Sequence, residues 1–229
     1  MNDARAGEMG PVLYLAQRQT AGRGRGGAWW SGDGGLTFSI LTGEIPIAGD
    51  QIPRLSLGVG VAVCEAIEPL AGQPIELKWP NDIMARGRKL AGMLIEIPAG
   101  RPPRLVIGIG INVANSLDQA PEEVRRSAIT LTELTAAPNR VEVLISVINA
   151  LQGVLNDLAN GNPKLADRWR QRSFLDGRQV EIELPGGERM TGIVQSIDDQ
   201  GALLVATGQG VQRCVSGSVV DWQNGAKER

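Results

Sequence analysis

Hydrophobic positions along the chain follow two different periods, and these predict a first part built from strands and helices. Short apolar runs predict strands over 11–16, 36–42, 74–79, 90–97 and 104–113. Apolar residues spaced three and four apart predict amphipathic helices over 51–70, 141–158 and 163–172, with a shorter helix around 122–126. The segment between the first two strands has neither period, and a loop of this length inside a compact domain is usually functional or disordered.

After residue 174 the pattern changes to short alternating strands separated by Gly, Asp and Asn. Such runs lie at 178–184, 188–197, 201–207 and 210–217. Four or five short strands in a segment of this length are typical of a small closed barrel. We therefore predict an α+β protein with two domains, a mixed β-sheet packed with helices over 1–174 and a small β-barrel over 175–229.

Composition restricts the chemistry. The chain has no histidine, which excludes Ser-His-Asp hydrolysis, Cys-His proteolysis and most catalytic zinc sites. Its 23 Lys and Arg nearly balance its 25 Asp and Glu, so a protein that coats nucleic acid or an anionic membrane is not indicated. The chemistry left uses carboxylates, Lys, Arg, backbone amides or a hard metal ion, and phosphate-based group transfer is among the reactions that remain.

The sequence features that mark membrane and secreted proteins bear on the cellular compartment. No apolar stretch approaches the roughly 20 residues of a membrane span, and the first ten residues have no signal-peptide pattern. The two cysteines, Cys64 and Cys214, lie far apart in apolar surroundings. We therefore expect a cytoplasmic protein without disulfides.

Two segments in the first half carry candidate chemistry. In 22–27 (GRGRGG), glycines let consecutive amides face an anion and the two arginines add guanidinium donors; a flexible basic surface loop is the alternative. No helix opens there and no G-K-[ST] follows, so neither the dinucleotide fingerprint nor a Walker loop is indicated. In 78–82 (KWPND), a strand delivers a cation and the hard oxygens of Asn81 and Asp82, which suit Mg²⁺ with phosphates; an ordinary strand-ending turn is the alternative.

Two further segments follow on predicted strands. Lys89, in 88–94 (RKLAGML), suits a lysine aimed at a ligand lying over the sheet, and a solvated hairpin at 86–89 is the alternative. In 108–112 (GIGIN), Gly108 and Gly110 share one face of a strand and make a flat floor. Close packing of a helix on that face is the alternative.

In this order and spacing the segments resemble the biotin protein ligase family, the biotin–[acetyl-CoA-carboxylase] ligases. The matching stretches are 19–25 (QTAGRGR), 78–82 (KWPND), 89–94 (KLAGML), 108–112 (GIGIN) and 128–131 (AITL), and 177–219 looks like the SH3-like domain of the family. The resemblance implies a biotin/lipoate ligase-like sheet domain followed by an SH3-like barrel. It also implies attachment of biotin to a lysine of a carrier domain through biotinyl-5′-AMP, formed from biotin and ATP with Mg²⁺.

The resemblance further implies roles for individual residues. The implied catalytic residues are Lys89, at the junction of carboxylate and α-phosphate, Arg25 and Asp82. Those implied to bind biotin or its adenylate are Gln19, Gly22, Arg23, Gly24, Arg25, Lys89, Gly92, Gly108 and Gly110. Those implied for ATP and Mg²⁺ are Lys78, Asn81, Asp82 and Asn112, with Asn81 and Asp82 holding the metal. The implied partner is the biotin carboxyl carrier protein of a carboxylase, with no nucleic acid or membrane, and a homodimer is a possible assembly.

Two departures from the family pattern keep alternatives open. Gly27 leads directly to Ala28 and Trp29 where the family has a further Arg, and the chain opens with 1–4 (MNDA), just past or inside the family's S-T-N-type motif. No Ser or Thr is therefore assigned from that motif. A lipoate-type ligase and a non-enzymatic protein that binds biotin or its adenylate remain the alternatives. With no helix-turn-helix segment before the sheet domain, we expect a short form without a DNA-binding repressor role.

Overall fold

The first sheet consists of six strands that pair in antiparallel ladders. The computed structural model of the chain describes residues 10–24, 32–43, 51–98, 104–162 and 164–223. The strands are β1 (Val12–Ala16), β2 (Leu36–Leu41), β3 (Glu76–Lys78), β4 (Asp82–Ala85), β5 (Arg88–Glu96) and β6 (Val106–Ile111), in the order β1-β2-β6-β5-β4-β3. A mixed sheet was predicted. In the part of the chain that is described, parallel pairing is confined to the single bridges Leu77–Ser173 and Lys89–Ala128.

The predicted helices form close to where the apolar spacing places them. They are α1 (Ile52–Ala71), α2 (Glu122–Ser127), α3 (Arg140–Ala159) and α4 (Lys164–Gln171). The N-terminus of α3 is capped because the side chain of Asn139 accepts hydrogen bonds from the backbone N–H groups of Val141 and Glu142. A Cβ on Gly58 of α1 would lie about 3 Å from side-chain atoms of α3, so this glycine lets the two long helices pack closely.

Strand alternation gives the first sheet one helix-covered face and one open face. Phe38 on β2, Ile109 on β6 and Met93 on β5 are aligned across the sheet, and all three are buried. A Cβ on Gly60 of α1 would meet the side chain of Met93, so α1 packs on this face. The residues that alternate with them, such as Gly110, point to the opposite face.

The helix α3 satisfies the length and composition of a membrane span, and it is the one described helix that does. Its residues Val143, Val147, Leu151 and Val154 are buried inside the protein. A core helix of a globular protein passes the same test, so the finding is weak evidence for a membrane span.

The C-terminal residues form a second antiparallel sheet. Its strands are β7 (Gln179–Glu183), β8 (Arg189–Ile197), β9 (Leu203–Thr207), β10 (Gly210–Cys214) and β11 (Ser218–Gln223), in the order β10-β9-β8-β7-β11. Among the described residues the outer strands β10 and β11 do not pair with each other, so the expected closed barrel is not formed there. Four of the five β10 residues are exposed, as on a sheet edge; alternation predicts strands but not whether two edges meet.

Candidate functional site

The open face of the first sheet is the floor of a cleft of about 900 Å³. Strand pairing aligns Asp82, Gly92, Gly110 and Thr37 in one row across β4, β5, β6 and β2. No described atom lies within 4 Å of the position that a Cβ on Gly110 would take. Among the described residues no helix packs on this glycine, and the glycines leave room for a flat ligand on the sheet.

Lys89 and Asp82 form an ion pair at one end of this floor. The Lys89 Nζ lies 2.5 Å from Asp82 Oδ1, and the same amine would be 3.2 Å from a Cβ on Gly92. Residues three apart on a regular strand point to opposite faces. A β-bulge at Leu90, which leaves this residue without a partner on β4, brings Lys89 to the face of Gly92.

The backbone around Lys89 is held on both sides. A tight hairpin with positive φ at Arg86 and Gly87 joins β4 to β5, so the predicted hairpin is real and Lys89 reaches the cleft as well. On the other side, the N–H of Ile129 donates to the Lys89 carbonyl at 2.9 Å. Arg88 pairs with Glu133 at 2.6 Å, which ties the AITL segment and the short helical turn after it to the start of β5.

A second ion pair lies at another part of the cleft wall. The guanidinium of Arg23 contacts both carboxylate oxygens of Glu96, at 3.1 and 3.0 Å. Glu96 follows Gly92 by four residues along β5, so both face the cleft. Two cations of the cleft lining, Lys89 and Arg23, are thus each paired with a carboxylate.

The KWPND turn is fixed by contacts to β5, to α1 and to the turn between β8 and β9. The Asn81 side chain donates to the Met93 carbonyl at 2.5 Å, and the Met93 N–H donates to the Asn81 carbonyl at 3.1 Å. The buried Trp79 donates its indole N–H to the carbonyl of Gly201 in the C-terminal sheet at 3.1 Å. The hydroxyl of Ser56 in α1 donates to the Pro80 carbonyl at 2.9 Å.

Lys78 is a buried cation in the cleft wall. Its exposure is 8%, and its Nζ lies 3.8 Å from the ring centroid of Trp222 on β11, a cation–π geometry. Burial lowers the pKa of Lys78; the negative charge of Asp82 opposes this effect and the positive charge of Lys89 adds to it. The C-terminal sheet therefore forms part of the site.

Most of the residues predicted for the site are brought together around the cleft. Those that line it are Gln19, Arg23, Gly24, Lys78, Asn81, Asp82, Lys89, Gly92, Gly108, Gly110 and Asn112. Gly22 is described and does not line it, whereas its neighbours Ala21 and Arg23 do. Arg25 lies outside the described residues.

Sequence reasoning missed further cleft residues, among them Glu96 and two residues of β11. Glu96 carries a detectable signal, because alternation along β5 from Gly92 places it on the same face. Ser218 and Val219 of β11 carry none, since nothing in the alternation of a separate sheet indicates which strand will cover a cleft in the first sheet.

The oxygen donors of Asn81 and Asp82 suit one mode of magnesium binding. The described residues contain no group of three or more His, Cys, Asp or Glu placed to hold a metal. Mg²⁺ bound together with nucleotide phosphates needs only one or two protein carboxylates or carbonyls. Asp82 and the side-chain oxygen of Asn81 fit that mode of binding and do not fit an all-protein metal site.

Comparison with protein families gives two matches. Residues 8–112 match the biotin/lipoate A/B protein ligase family, and residues 177–221 match the biotin protein ligase C terminal domain.

Similar proteins cover most of the chain. It is 39% identical over 217 residues to the biotin–[acetyl-CoA-carboxylase] ligase of Mycobacterium tuberculosis, which covers 91% of this chain and 78% of that protein. It is 31% identical to the bifunctional ligase/repressor BirA of Bacillus subtilis, of which it covers 65%. The biotin protein ligase of Aquifex aeolicus, solved in complex with biotin and ATP, superposes with a TM-score of 0.79 at 30% identity and covers 96% of this chain and 93% of that one.

Proposed function

The chain belongs to the biotin/lipoate A/B protein ligase family, and we propose that it is a biotin–[acetyl-CoA-carboxylase] ligase that uses ATP. The observation that supports this most directly is the glycine floor of the cleft, flanked by the Lys89–Asp82 and Arg23–Glu96 pairs. A flat neutral ring system fits over bare glycines, and cations beside it suit a carboxylate and a phosphate that must approach each other.

The proposed reaction has two steps. A carboxylate oxygen of biotin attacks the α-phosphorus of ATP, the bond to the β-phosphate oxygen breaks, and pyrophosphate leaves with biotinyl-5′-AMP still bound. A neutral lysine amine of the biotin carboxyl carrier protein then attacks the carbonyl of this mixed anhydride, which forms an amide and releases AMP. The amine loses a proton in that step.

The contribution of the protein to the first step is mainly electrostatic. Two anions must meet, and negative charge develops on the equatorial oxygens of the phosphorus. We assign Lys89 to the junction of carboxylate and α-phosphate and Arg23 to the adenylate side. Each would exchange its present carboxylate partner for a substrate oxygen, at low cost because one charge–charge contact replaces another.

The remaining assigned residues bind and orient the substrates. Gln19, Gly24, Gly92, Gly108 and Gly110 line the part of the cleft assigned to biotin. Lys78 and Asn112 are assigned to ATP. Asn81 and Asp82 would hold Mg²⁺, which neutralises phosphate charge when it is bound. Gly22 and Arg25 stay assigned to the adenylate loop on the family motif alone.

In the second step the amine proton needs an acceptor. The chain has no histidine, so we assign the Asp82 carboxylate or a phosphate oxygen of the adenylate. Asp82 is suited to this role when Lys89 has moved to the substrate and no magnesium ion is bound to its carboxylate.

The proposal is tested by biotin-dependent exchange of labelled pyrophosphate into ATP and by transfer of labelled biotin to a carrier domain. Wild type should perform both reactions, and Lys89→Ala should lose the exchange by about 100-fold or more. Lys164→Ala, which removes a lysine at the start of α4, is the matched control and should keep wild-type rates.

The outcomes separate the alternatives. Wild-type exchange in Lys89→Ala would show that Lys89 does not have the assigned role. Exchange driven by lipoate and not by biotin would identify a lipoate-type ligase. Binding of biotin without exchange or transfer would identify a non-enzymatic binding protein.

A further inference from the structure

We propose that Trp222, on β11 of the C-terminal sheet, is a positioning residue that holds Lys78 as a charged group facing the phosphates of ATP. This inference rests on the proposed function and adds a role for the C-terminal sheet in nucleotide binding. Its basis is the contact at 3.8 Å between the ring face of Trp222 and the ammonium of Lys78, which is a residue of the cleft wall.

The position of Trp222 depends on a bulge in β11. Val219 pairs with Ile182 and Trp222 pairs with Val180, while Val220 between them has no partner on β7. Ile182 and Val180 are two apart on β7 and point to the same side. Val219 and Trp222, three apart, therefore also face the same side. Both pack against the hydrophobic core, and Val219 also lines the cleft.

The ring is held in place by a second aromatic residue. Phe174 contacts Trp222 edge to face, with ring centroids 6.0 Å apart and an interplanar angle of 81°. The guanidinium of Arg178 lies over the other ring, 4.2 Å from the Phe174 centroid. Because Trp222 is fixed by its neighbours, it presents a defined surface to Lys78 and is not simply a flexible cover.

Lys78 differs from the other two cleft cations in the kind of partner it has. Lys89 and Arg23 are paired with carboxylates, and among the described ion pairs none includes Lys78. A carboxylate neutralises a cation, whereas an aromatic ring attracts it through the quadrupole and leaves its net charge in place. Trp222 thus offsets part of the cost of burying the ammonium without neutralising its charge.

The same geometry places this charge next to the residues assigned to ATP. In the strand register, Lys78 on β3 lies opposite Asp82 on β4. It therefore extends the row of residues on the cleft floor. The next residue, Trp79, donates to Gly201 of the C-terminal sheet. Two consecutive residues, Lys78 and Trp79, therefore contact the C-terminal part of the chain. The docking of the C-terminal sheet on the first sheet thus sets where the Lys78 ammonium lies.

The test compares Trp222→Leu with Trp222→Phe, which keeps a ring face. Trp222→Leu should raise the KM for ATP in the exchange reaction about tenfold, with kcat and the KM for biotin within about twofold. Trp222→Phe should stay within about threefold of wild type. Val211→Ala, on the exposed edge strand β10 of the same sheet, is the control and should have no effect.

Two further measurements distinguish positioning from general loss of structure. In a Lys78→Met background, Trp222→Leu should add little to the KM for ATP, because the residue it positions is already absent. In protein labelled with ¹³C-lysine, the ε-methylene protons of Lys78 should be shifted upfield by the indole ring, and the shift should disappear in Trp222→Leu and persist in Trp222→Phe.

The inference is overturned if Trp222→Leu raises the KM for ATP equally in the wild-type and Lys78→Met backgrounds, if the KM does not change, or if Lys78 shows no ring shift. Its failure differs from failure of the proposed function, in which wild type itself shows no biotin-dependent exchange. In that case the ring shift of Lys78 and calorimetric binding of ATP to wild type and Trp222→Leu still decide the inference.

Discussion

At both Gly110 and Gly153, no described atom lies near the position that a Cβ would take. Their surroundings nevertheless predict that an added methyl group affects biotin binding only at Gly110. Gly110 lies on the cleft floor, and Gly153 lies on the exposed side of α3. Gly110→Ala should not lower the free energy of unfolding and should raise it by up to about 1 kcal/mol, because it replaces glycine within a strand. It should raise the KM for biotin about tenfold, because the methyl occupies the space assigned to the ligand.

The matched variant Gly153→Ala should stabilise the protein by about 0.5–1 kcal/mol, since it replaces glycine within a helix, and should leave the KM for biotin unchanged. Urea unfolding and exchange kinetics on both variants measure the two effects. An unchanged KM for biotin in Gly110→Ala would place the ligand elsewhere in the cleft.

Single residues of the site could be predicted to different extents. Lys89, Asp82 and the glycines of the floor belong to motifs whose residue types suit phosphate chemistry, and the structure places them around one cleft. Their partners could not be predicted in the same way. That Arg23 contacts Glu96 depends on tertiary distance, and the two residues are far apart in the sequence.

At the level of elements, periodicity predicted the helices and most strands, because alternation and three-to-four spacing are local properties. It did not predict the bulges at Leu90 and Val220. Each bulge adds one residue to a strand and changes the side to which a neighbouring side chain points. Lys89 turns to the cleft, and Trp222 turns to the side of the core and Lys78. The sequence therefore predicted which residues line the cleft better than it predicted the directions of their side chains.

The long helices are joined by charged contacts whose strength should depend on pH. Asp157 at the end of α3 accepts from Asn162 at 2.8 Å and pairs with Arg168 of α4 at 2.6 Å. The hydrogen bond from Asn162, and further the contact with Arg168, lower the pKa of Asp157 below its usual value. Arg168 also contacts Glu65 of α1, so this group connects three helices.

A group whose pKa is lower in the folded state stabilises that state above its unfolded pKa, and the stabilisation is lost as the pH falls through its folded pKa. Asp157→Asn should therefore lower the free energy of unfolding by about 0.5–1 kcal/mol at pH 7, where the partly exposed pair is screened by solvent. The difference from wild type should shrink as the pH falls below about 4. Asp167→Asn, which removes an exposed carboxylate from α4, should cost less; an equal cost for both variants at every pH contradicts the assignment.

At the scale of the whole molecule, the two sheets are linked more closely than the change of sequence pattern suggests. The division into 1–174 and 175–229 remains our proposal for the domains, but buried residues of both sheets belong to one hydrophobic cluster. Gly201, between β8 and β9, lies against the start of α1: a Cβ there would be 2.8 Å from the Arg54 nitrogen and the Pro53 carbonyl carbon. Docking of the second sheet thus requires a residue without a side chain at this position.

Two glycines with nearly the same backbone conformation test this docking. Gly201 has φ +84° and the backbone of α1 beside it, whereas Gly187, in the turn between β7 and β8, has φ +87° and open space. Alanine at either position pays the cost of a left-handed conformation, about 1–2 kcal/mol. Gly201→Ala should cost about 1–3 kcal/mol more than Gly187→Ala because of the contact with α1, as measured by urea unfolding. Since the Gly201 carbonyl accepts the indole N–H of Trp79 beside Lys78, Gly201→Ala should also raise the KM for ATP, and Gly187→Ala should not. Equal stability and equal KM in the two variants would mean that the sheets function as separate units.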